Sequence, residues 1–497
     1  MSIWKRKPMA LLLAEASESE KGLKRTLTAW SLVALGIGAI IGAGLFVRTA
    51  TAAAQNAGPS VTLGFIVAAI GCALAGLCYA ELSSSIPISG SAYTYTYATM
   101  GELLAWIIGW DLILEYAVGA ATVGIAWSEY LNNLLVNVLH VSPIPYSLSH
   151  SPFQSLVDPV THKVIEHGII NLPAFFIVAM ISLLLIKGTK ESAFVNGLIV
   201  IIKVSIVVLI IVFGWHYINP SNHTPYIPAA TTYVDEHGVE FSFGGFWGII
   251  GAAGTVFFAF IGFDAVSTAA QETKNPKRNM PIGILGSLAI CTVLYILFAH
   301  VLTGLAPVDF FRTTGKEASV AQAIDAFMPG YGWLAQFVTV AILFGFTSVI
   351  LVMLLGQSRV FYSMGKDGLL PRAFGDLHPK FQTPYKANLA ILVIVGLFAA
   401  FVPGDIVGDM TSIGTLFAFI LVCISVIVLR KTEPDMKREF KTPLVPFVPI
   451  LGALVCFLMI LGLGWLNWAR LGGWLILGLI FYFVYSKKNS RLNNPEK

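Results

Sequence analysis

Residues 36–46 read GIGAIIGAGLF, four glycines in eleven residues inside the first long apolar run of the chain. A glycine in a helix interior is destabilising by about 1 kcal/mol against alanine. In hydrocarbon, each backbone amide or carbonyl freed by such a break needs a partner, at a cost of several kcal/mol where none is found. A stretch that loosens its backbone there must have a use for the freed groups. Whether the surroundings are hydrocarbon is answered by the rest of the chain.

Of the 497 residues, 56% are hydrophobic and 12% charged, against about 25% charged in a soluble domain. Mean hydropathy is +0.77. Apolar runs of about 20 residues, the length that crosses a bilayer, recur from end to end. Twelve spans are expected, at 29–53, 60–86, 101–135, 169–186, 194–217, 246–270, 281–306, 333–364, 387–403, 410–429, 444–464 and 471–486. The expected fold is an all-α polytopic membrane protein.

Alternating the connections from a cytoplasmic N-terminus places 24 Lys and Arg on one side and four on the other. That asymmetry puts both termini in the cytoplasm by the positive-inside rule. The formal net charge of +4 therefore describes topology, and no nucleic-acid partner is expected. The five cysteines (Cys72, Cys78, Cys291, Cys423, Cys456) all fall in apolar spans and read as small hydrophobes. PMALLLA after KRK is too short for a signal peptide, and KGLKR before the first span reads as an interfacial anchor.

Several chemistries are excluded. No phosphate-binding GxxxxGK[ST] loop is present, and GIGAIIGAG lacks both the GxGxxG spacing and a βαβ setting. The only deep histidine, His300, lies near a span end, so neither a metal site nor a His relay is expected. No Ser/His/Asp arrangement stands out, so the chain reads as a non-enzyme without cofactors. NHT at Asn222 is a glycosylation sequon by pattern alone.

The interruption in span 1 has a counterpart. Span 6 contains GIIGAAGTVFFAFIGFDAV (248–266), with Gly248, Gly251, Gly254 and Gly262. Span 6 comes five spans after span 1, with four between, so the two run in opposite directions. Glycine-broken helices at matching positions of two oppositely oriented halves point to a transporter binding site. Close helix packing through the Gly38/Gly42 pair is the plainer alternative.

Those segments resemble the amino acid–polyamine–organocation transporter superfamily. GIGAIIGAGLFVRT (36–49) is similar to its first-helix motif, and FFAFIGFDAVSTAAQETKNPKRNMPIGI (257–284) to its sixth helix and the following loop. RVFYSMGKDGLLP (359–371) resembles the end of its eighth helix. GWDLILEYAVGAATVGIAWSEYL (109–131) and HPKFQTPYKAN (378–388) are most similar to the cationic amino acid transporter branch and its bacterial relatives. The resemblance covers spans 1–10. It implies a five-plus-five inverted repeat with discontinuous helices 1 and 6 and spans 11 and 12 appended. The resulting parts are a cytoplasmic segment 1–28 with an interfacial helix, repeats at 29–217 and 246–429, the last two spans at 444–486, and a cytoplasmic tail 487–497.

The resemblance also implies a site made of backbone. The amides of Gly42, Ala43 and Gly44, at the start of the outer half of span 1, would hold a substrate carboxylate at a helix N-terminus. Carbonyls of Ile40, Phe258 and Ile261 would receive its ammonium, with Ile41 and Ala259 beside them. Phe258 takes the place of an aromatic gate, or is a packing Phe. Lys203 lies about 14 Å into span 5, too deep to reach water easily. The resemblance puts its ammonium where a coupling sodium would sit, near Gly38, Ala39, Thr347 and Ser348. It is either a proton carrier or a permanently charged strut. Asp264 is a candidate gate or pH sensor. Glu115 either complements a cationic substrate side chain or pairs with a neighbouring helix, and Asp111 shares its face. Glu81, Glu102, Glu129 and Arg359 sit near span ends and read as interfacial.

The implied activity is secondary active amino acid transport by alternating access, proton-coupled and sodium-independent. The expected substrates are cationic or small neutral L-amino acids, and the expected setting is the plasma membrane with its lipid. An exchanger of the same fold is the near alternative. A channel, a sensor or an intramembrane enzyme fits the paired breaks less well, and a small accessory subunit is not readable from sequence.

Overall fold

The computed structural model describes residues 3–18, 25, 27–42, 44–157, 163–187, 189–234, 240–313 and 319–494. The KGLKR stretch lies outside these residues except for Arg25, as does Ala43. The principal helices are α1 (Met9–Glu18), α2 (Ala29–Ile40), α3 (Val61–Ser85), α4 (Glu102–Ile113), α5 (Gly119–Asn133), α6 (Leu172–Lys187) and α7 (Thr189–Gly214). They continue as α8 (Gly245–Phe257), α9 (Pro276–Leu305), α10 (Gly332–Lys366), α11 (Tyr385–Phe401), α12 (Gly404–Thr432), α13 (Phe447–Gly462) and α14 (Trp465–Phe481).

Among the described residues, eight helical runs are long and apolar enough to cross a membrane, by length and composition. Four shorter apolar helices (α2, α6, α11 and α13) accompany them. Local chemistry sets several boundaries. Thr28 caps α2, its Oγ1 accepting the Ser31 amide at 3.3 Å. Asn275, in the left-handed region at φ 48°, caps α9 with Pro276 at the first helical position, where the missing N–H costs nothing. The chain leaves α2 at Ile41, whose ψ of 103° is extended, and helical turns resume at Gly44–Arg48.

The fold is not wholly α. Each long connection carries a small antiparallel hairpin: β1 (Ser155–Val157) with β2 (Val164–His167), and β3 (Thr231–Val234) with β4 (Glu240–Phe243). TTYV is wholly β-branched or aromatic, and EFSF alternates aromatic with polar residues, the composition and period of a half-buried strand. Thr231 pairs with Phe243 and Tyr233 with Phe241. The Arg312 guanidinium lies 4.6 Å from the ring centroids of both Tyr233 and Phe243, and its Nε–H donates to Ala54 O at 3.1 Å. One arginine thus ties the second hairpin to the helical turns after the first break.

At the end of the bundle that carries both termini, polar groups expected at an interface are buried instead. Glu102 is fully buried and accepts hydrogen bonds from Tyr97, Tyr482, Ser490 and Asn493. Asp367 accepts from Lys7 Nζ and Tyr93 Oη, both at 2.6 Å. The N-terminal strand-like segment is pinned by Lys7 N–H to Tyr97 O and Glu102 N–H to Lys5 O, each 3.1 Å. Lys5 Nζ reaches Leu492 O at 2.7 Å. Glu81 is likewise buried between Arg430 and Arg438, and Arg359 pairs with Glu272 at 2.7 Å. These charges avoid water because terminal segments and loops fold back over the helix ends, which span position alone does not reveal.

Glu102→Ala leaves four donors facing an empty site. It is expected to destabilise the protein by about 3 kcal/mol, with Glu102→Gln milder. Thermal unfolding of the detergent-solubilised protein checks this, and an unchanged midpoint for the alanine variant would remove Glu102 as the hub of the terminal clasp.

Candidate functional site

The two backbone breaks meet. The second begins where α8 ends at Phe257. One 3₁₀ turn (Phe258–Phe260) follows, Ile261 is extended at ψ 134°, and helix resumes at Ala265–Thr268. Gly262, at φ 113°, adopts a conformation that L side chains rarely reach. A Cβ on Gly262 would stand 2.7 Å from Ala39 Cβ, and one on Gly44 would run into the backbone of Ala259. Each break therefore carries a glycine where the other presses on it. The Tyr295 hydroxyl of α9 lies between them, 2.7 Å from Ile40 O and 2.9 Å from Ala259 O. Its single proton serves one carbonyl at a time.

Lys203 enters the first break from α7. Its Nζ donates to Gly38 O at 2.6 Å, Ile41 O at 2.7 Å and Ser348 Oγ at 3.0 Å. Ser348 in turn donates to Gly38 O at 3.0 Å. All three ammonium protons are thus directed, and the side chain is 1% exposed. Asn196, two turns earlier on α7, donates to Ala34 O at 3.3 Å. Thr347 does not join this group. Its Oγ1 accepts Trp127 Nε1–H at 3.2 Å and donates to Leu343 O at 3.0 Å. The neighbours Thr347 and Ser348 are about 100° apart around α10, so only one of them can face the lysine.

Two of the three carbonyls named for the ammonium, Ile40 and Phe258, already have protein donors, as does the adjacent Ile41. Ile40 O meets Tyr295, Ile41 O meets Lys203, and Phe258 O accepts the Ile261 amide at 3.3 Å. Among the described residues, no hydrogen bond engages the amides of Gly42 and Gly44. The unpaired donors that a carboxylate requires are therefore on the first break.

A cavity of about 1050 Å³ is lined by residues of both hairpins and reaches Phe258 of the second break. Val47, Arg48 and Thr51 line it from the helical turns after the first break, and Trp247, Gly251 and Thr255 from α8. Phe258, 4% exposed, also lines it, with the Arg48 guanidinium 5.4 Å from its ring centroid. Glu115 and Asp264 do not line this cavity. Both are fully buried, Asp264 accepts a hydrogen bond from Tyr116, and Glu115 lies beside Asp264 and Asp111. Neither oxygen of Glu115 or Asp111 has a hydrogen-bond partner among the described residues.

Tyr295 and Arg48 carry no role in the sequence reading. For Arg48 a signal was present, since a guanidinium inside a span is costly in hydrocarbon. Tyr295 sits in CTVLYILFAH, where a lone Tyr looks like any core aromatic.

The sequence model of the amino acid permease family matches residues 27–483. The chain is 44% identical over 493 residues to the branched-chain amino acid permease BcaP of Bacillus subtilis (strain 168), covering 99% of each protein. It is 41% identical over 493 residues to the methylthioribose transporter of the same organism, again covering 99% of each. It is 36% identical over 416 residues to the vacuolar cationic amino acid transporter 2 of Arabidopsis thaliana, covering 83% of this chain and 61% of that one.

Proposed function

The chain belongs to the amino acid permease family, and from that premise we propose a proton-coupled, sodium-independent secondary transporter of L-amino acids. It crosses the plasma membrane twelve times with both termini in the cytoplasm. Repeats at 29–217 and 246–429 rock about the breaks at Gly42–Gly44 and Phe258–Ile261. Amides of Gly42, Ala43 and Gly44 hold the carboxylate. The ammonium displaces a protein donor from the carbonyls around Ile40, Phe258 and Ile261, with Ile41 and Ala259 completing the wall. Asp264, held by Tyr116, links the second break to Glu115.

The observation that carries the reading is Lys203. A buried ammonium bridging Gly38 O and Ile41 O to Ser348 occupies the acceptors that a coupling cation would otherwise need. Moving its proton would release the first break from α7 and α10. The plainer role of Lys203, a fixed strut, predicts transport without dependence on a proton gradient. Neutral substrates are preferred. The BcaP relative is named for branched-chain amino acids, and Glu115 does not line the cavity through which a cationic side chain would pass. The methylthioribose relative adds that compound to the test panel.

In proteoliposomes, counterflow against twenty amino acids, polyamines and methylthioribose at two pH values identifies the substrate. Uptake is expected to rise with an inward proton gradient and to ignore sodium. Sodium dependence would remove Lys203 from its coupling role, and counterflow without any net gradient-driven uptake would favour the exchanger.

A further inference from the structure

We propose that Asn196 is a positioning residue for Lys203: by fastening α2 to α7 below the first break, it keeps the Gly38 carbonyl turned to the ammonium. The inference rests on the proton-coupled reading of Lys203 and adds a residue to which that reading gives no part.

Asn196 and Lys203 are seven residues apart on α7, so they share a face of the helix about 10 Å apart along its axis. Both meet α2. Asn196 Nδ2 donates to Ala34 O at 3.3 Å, and Lys203 Nζ to Gly38 O at 2.6 Å. Ala34 and Gly38 are themselves one turn apart. A single attachment would leave α2 free to turn about it, whereas two fix its rotation and its height against α7. Gly38 belongs to both attachments. A Cβ there would stand 2.6 Å from Asn196 Oδ1 and 2.8 Å from Nδ2, so the amide lies directly against the glycine whose carbonyl Lys203 holds.

Packing alone does not account for an asparagine here. The residue is 2% exposed, and its Oδ1 has no hydrogen-bond partner among the described residues. An unpaired buried acceptor is costly, and leucine would fill a similar volume without one. What asparagine supplies and leucine cannot is the bond to Ala34. Tilting of α2 away from α7 breaks that bond and the one from Lys203 to Gly38 in one movement, so the lysine loses a partner as the helices part. Facing Lys203 from the elements packed against it, the titratable groups are the Cys291 thiol and the Tyr295 hydroxyl of α9. The helix α2 carries no titratable residue, and the buried charge of α10, Arg359, is paired with Glu272. A change from asparagine to leucine adds no charge to this set and reaches Lys203 through α2.

The test is the pH dependence of uptake by the full-length protein in proteoliposomes, with the amino acid that the wild type moves best. Uptake that needs the Lys203 ammonium rises as pH falls, so a less firmly held ammonium moves the half-maximal point to lower pH. Asn196→Leu is expected to lower that point by about one unit, a tenfold loss in proton affinity. Gly38→Ala pushes on the same contact from α2 and should move the point the same way, and it carries the test if Asn196→Leu does not fold. The double variant should shift no further than the larger single shift, because both changes break one contact. A wild-type half-maximal point in the folded single variants would overturn the inference. So would a lower maximum at an unchanged half-maximal point, which marks a general structural defect, and so would shifts that add in the double variant. If uptake by the wild type ignores pH, the proton-coupled reading and this inference fall together. If the wild type depends on pH and Asn196→Leu matches it, only this inference falls.

Discussion

Lys203→Ala is expected to abolish uphill accumulation, leaving the internal substrate concentration equal to the external one. The ammonium is the donor to Gly38 O and Ile41 O and also meets Ser348. Its removal strips buried polar groups of a partner at about 1–3 kcal/mol each, at the point where the first helix breaks. Destabilisation alone would mimic loss of coupling, so Lys203→Met, which keeps the volume and removes the charge, is the informative companion. The coupling role predicts that Lys203→Met still performs counterflow, which needs no proton gradient, while gradient-driven accumulation disappears. Loss of both together, with substrate binding unchanged, would make the lysine a strut. Accumulation at the wild-type level would remove it from the mechanism.

The features legible in the sequence share one property, that their signal is local. The glycine clusters at 36–44 and 248–262 mark their two helices by sequence alone, although the chain leaves the helix only near Gly42–Gly44 and Gly262, while Gly36, Gly38, Gly248, Gly251 and Gly254 stay helical. A lysine amid VNGLIVIIKVSIVVLII is anomalous by its immediate neighbours alone. What was not legible depends on partners far along the chain. The Tyr295 hydroxyl touches Ile40, 255 residues away. Glu102 is satisfied by Ser490 and Asn493, from the other end of the protein. Thr347 and Ser348 are adjacent and both hydroxylic, and the rotation of α10 alone decides which meets Lys203. The hairpins escaped for another reason. They are three or four residues per strand, too short for periodicity to stand out from a polar loop.

The same interlocking of breaks leaves Gly44 unable to accept a side chain without movement of its neighbour. An added Cβ there meets the Cα, N and Cβ of Ala259, and two of those atoms are backbone, so no rotamer change relieves the overlap. Gly44→Ala must push the two breaks apart or tilt the turns that follow the first one. Overpacking of this kind costs about 1–3 kcal/mol. It acts on the segment that supplies the amides, so transport kcat/KM is expected to fall about 100-fold, the upper end of that range. Far-ultraviolet circular dichroism should be unchanged, because the helices on either side keep their hydrogen bonds. Ala259→Gly removes one of the three obstructing atoms, and the double variant should recover part of the loss. That recovery, measured as a double-mutant cycle, separates contact between the breaks from a general defect at either position. Wild-type transport by Gly44→Ala would mean that the breaks stand further apart while the protein works. The glycine would then serve some need other than their close approach. Losses that simply add in the double variant would show that Gly44 and Ala259 act independently, and the site would then have to be drawn without their contact.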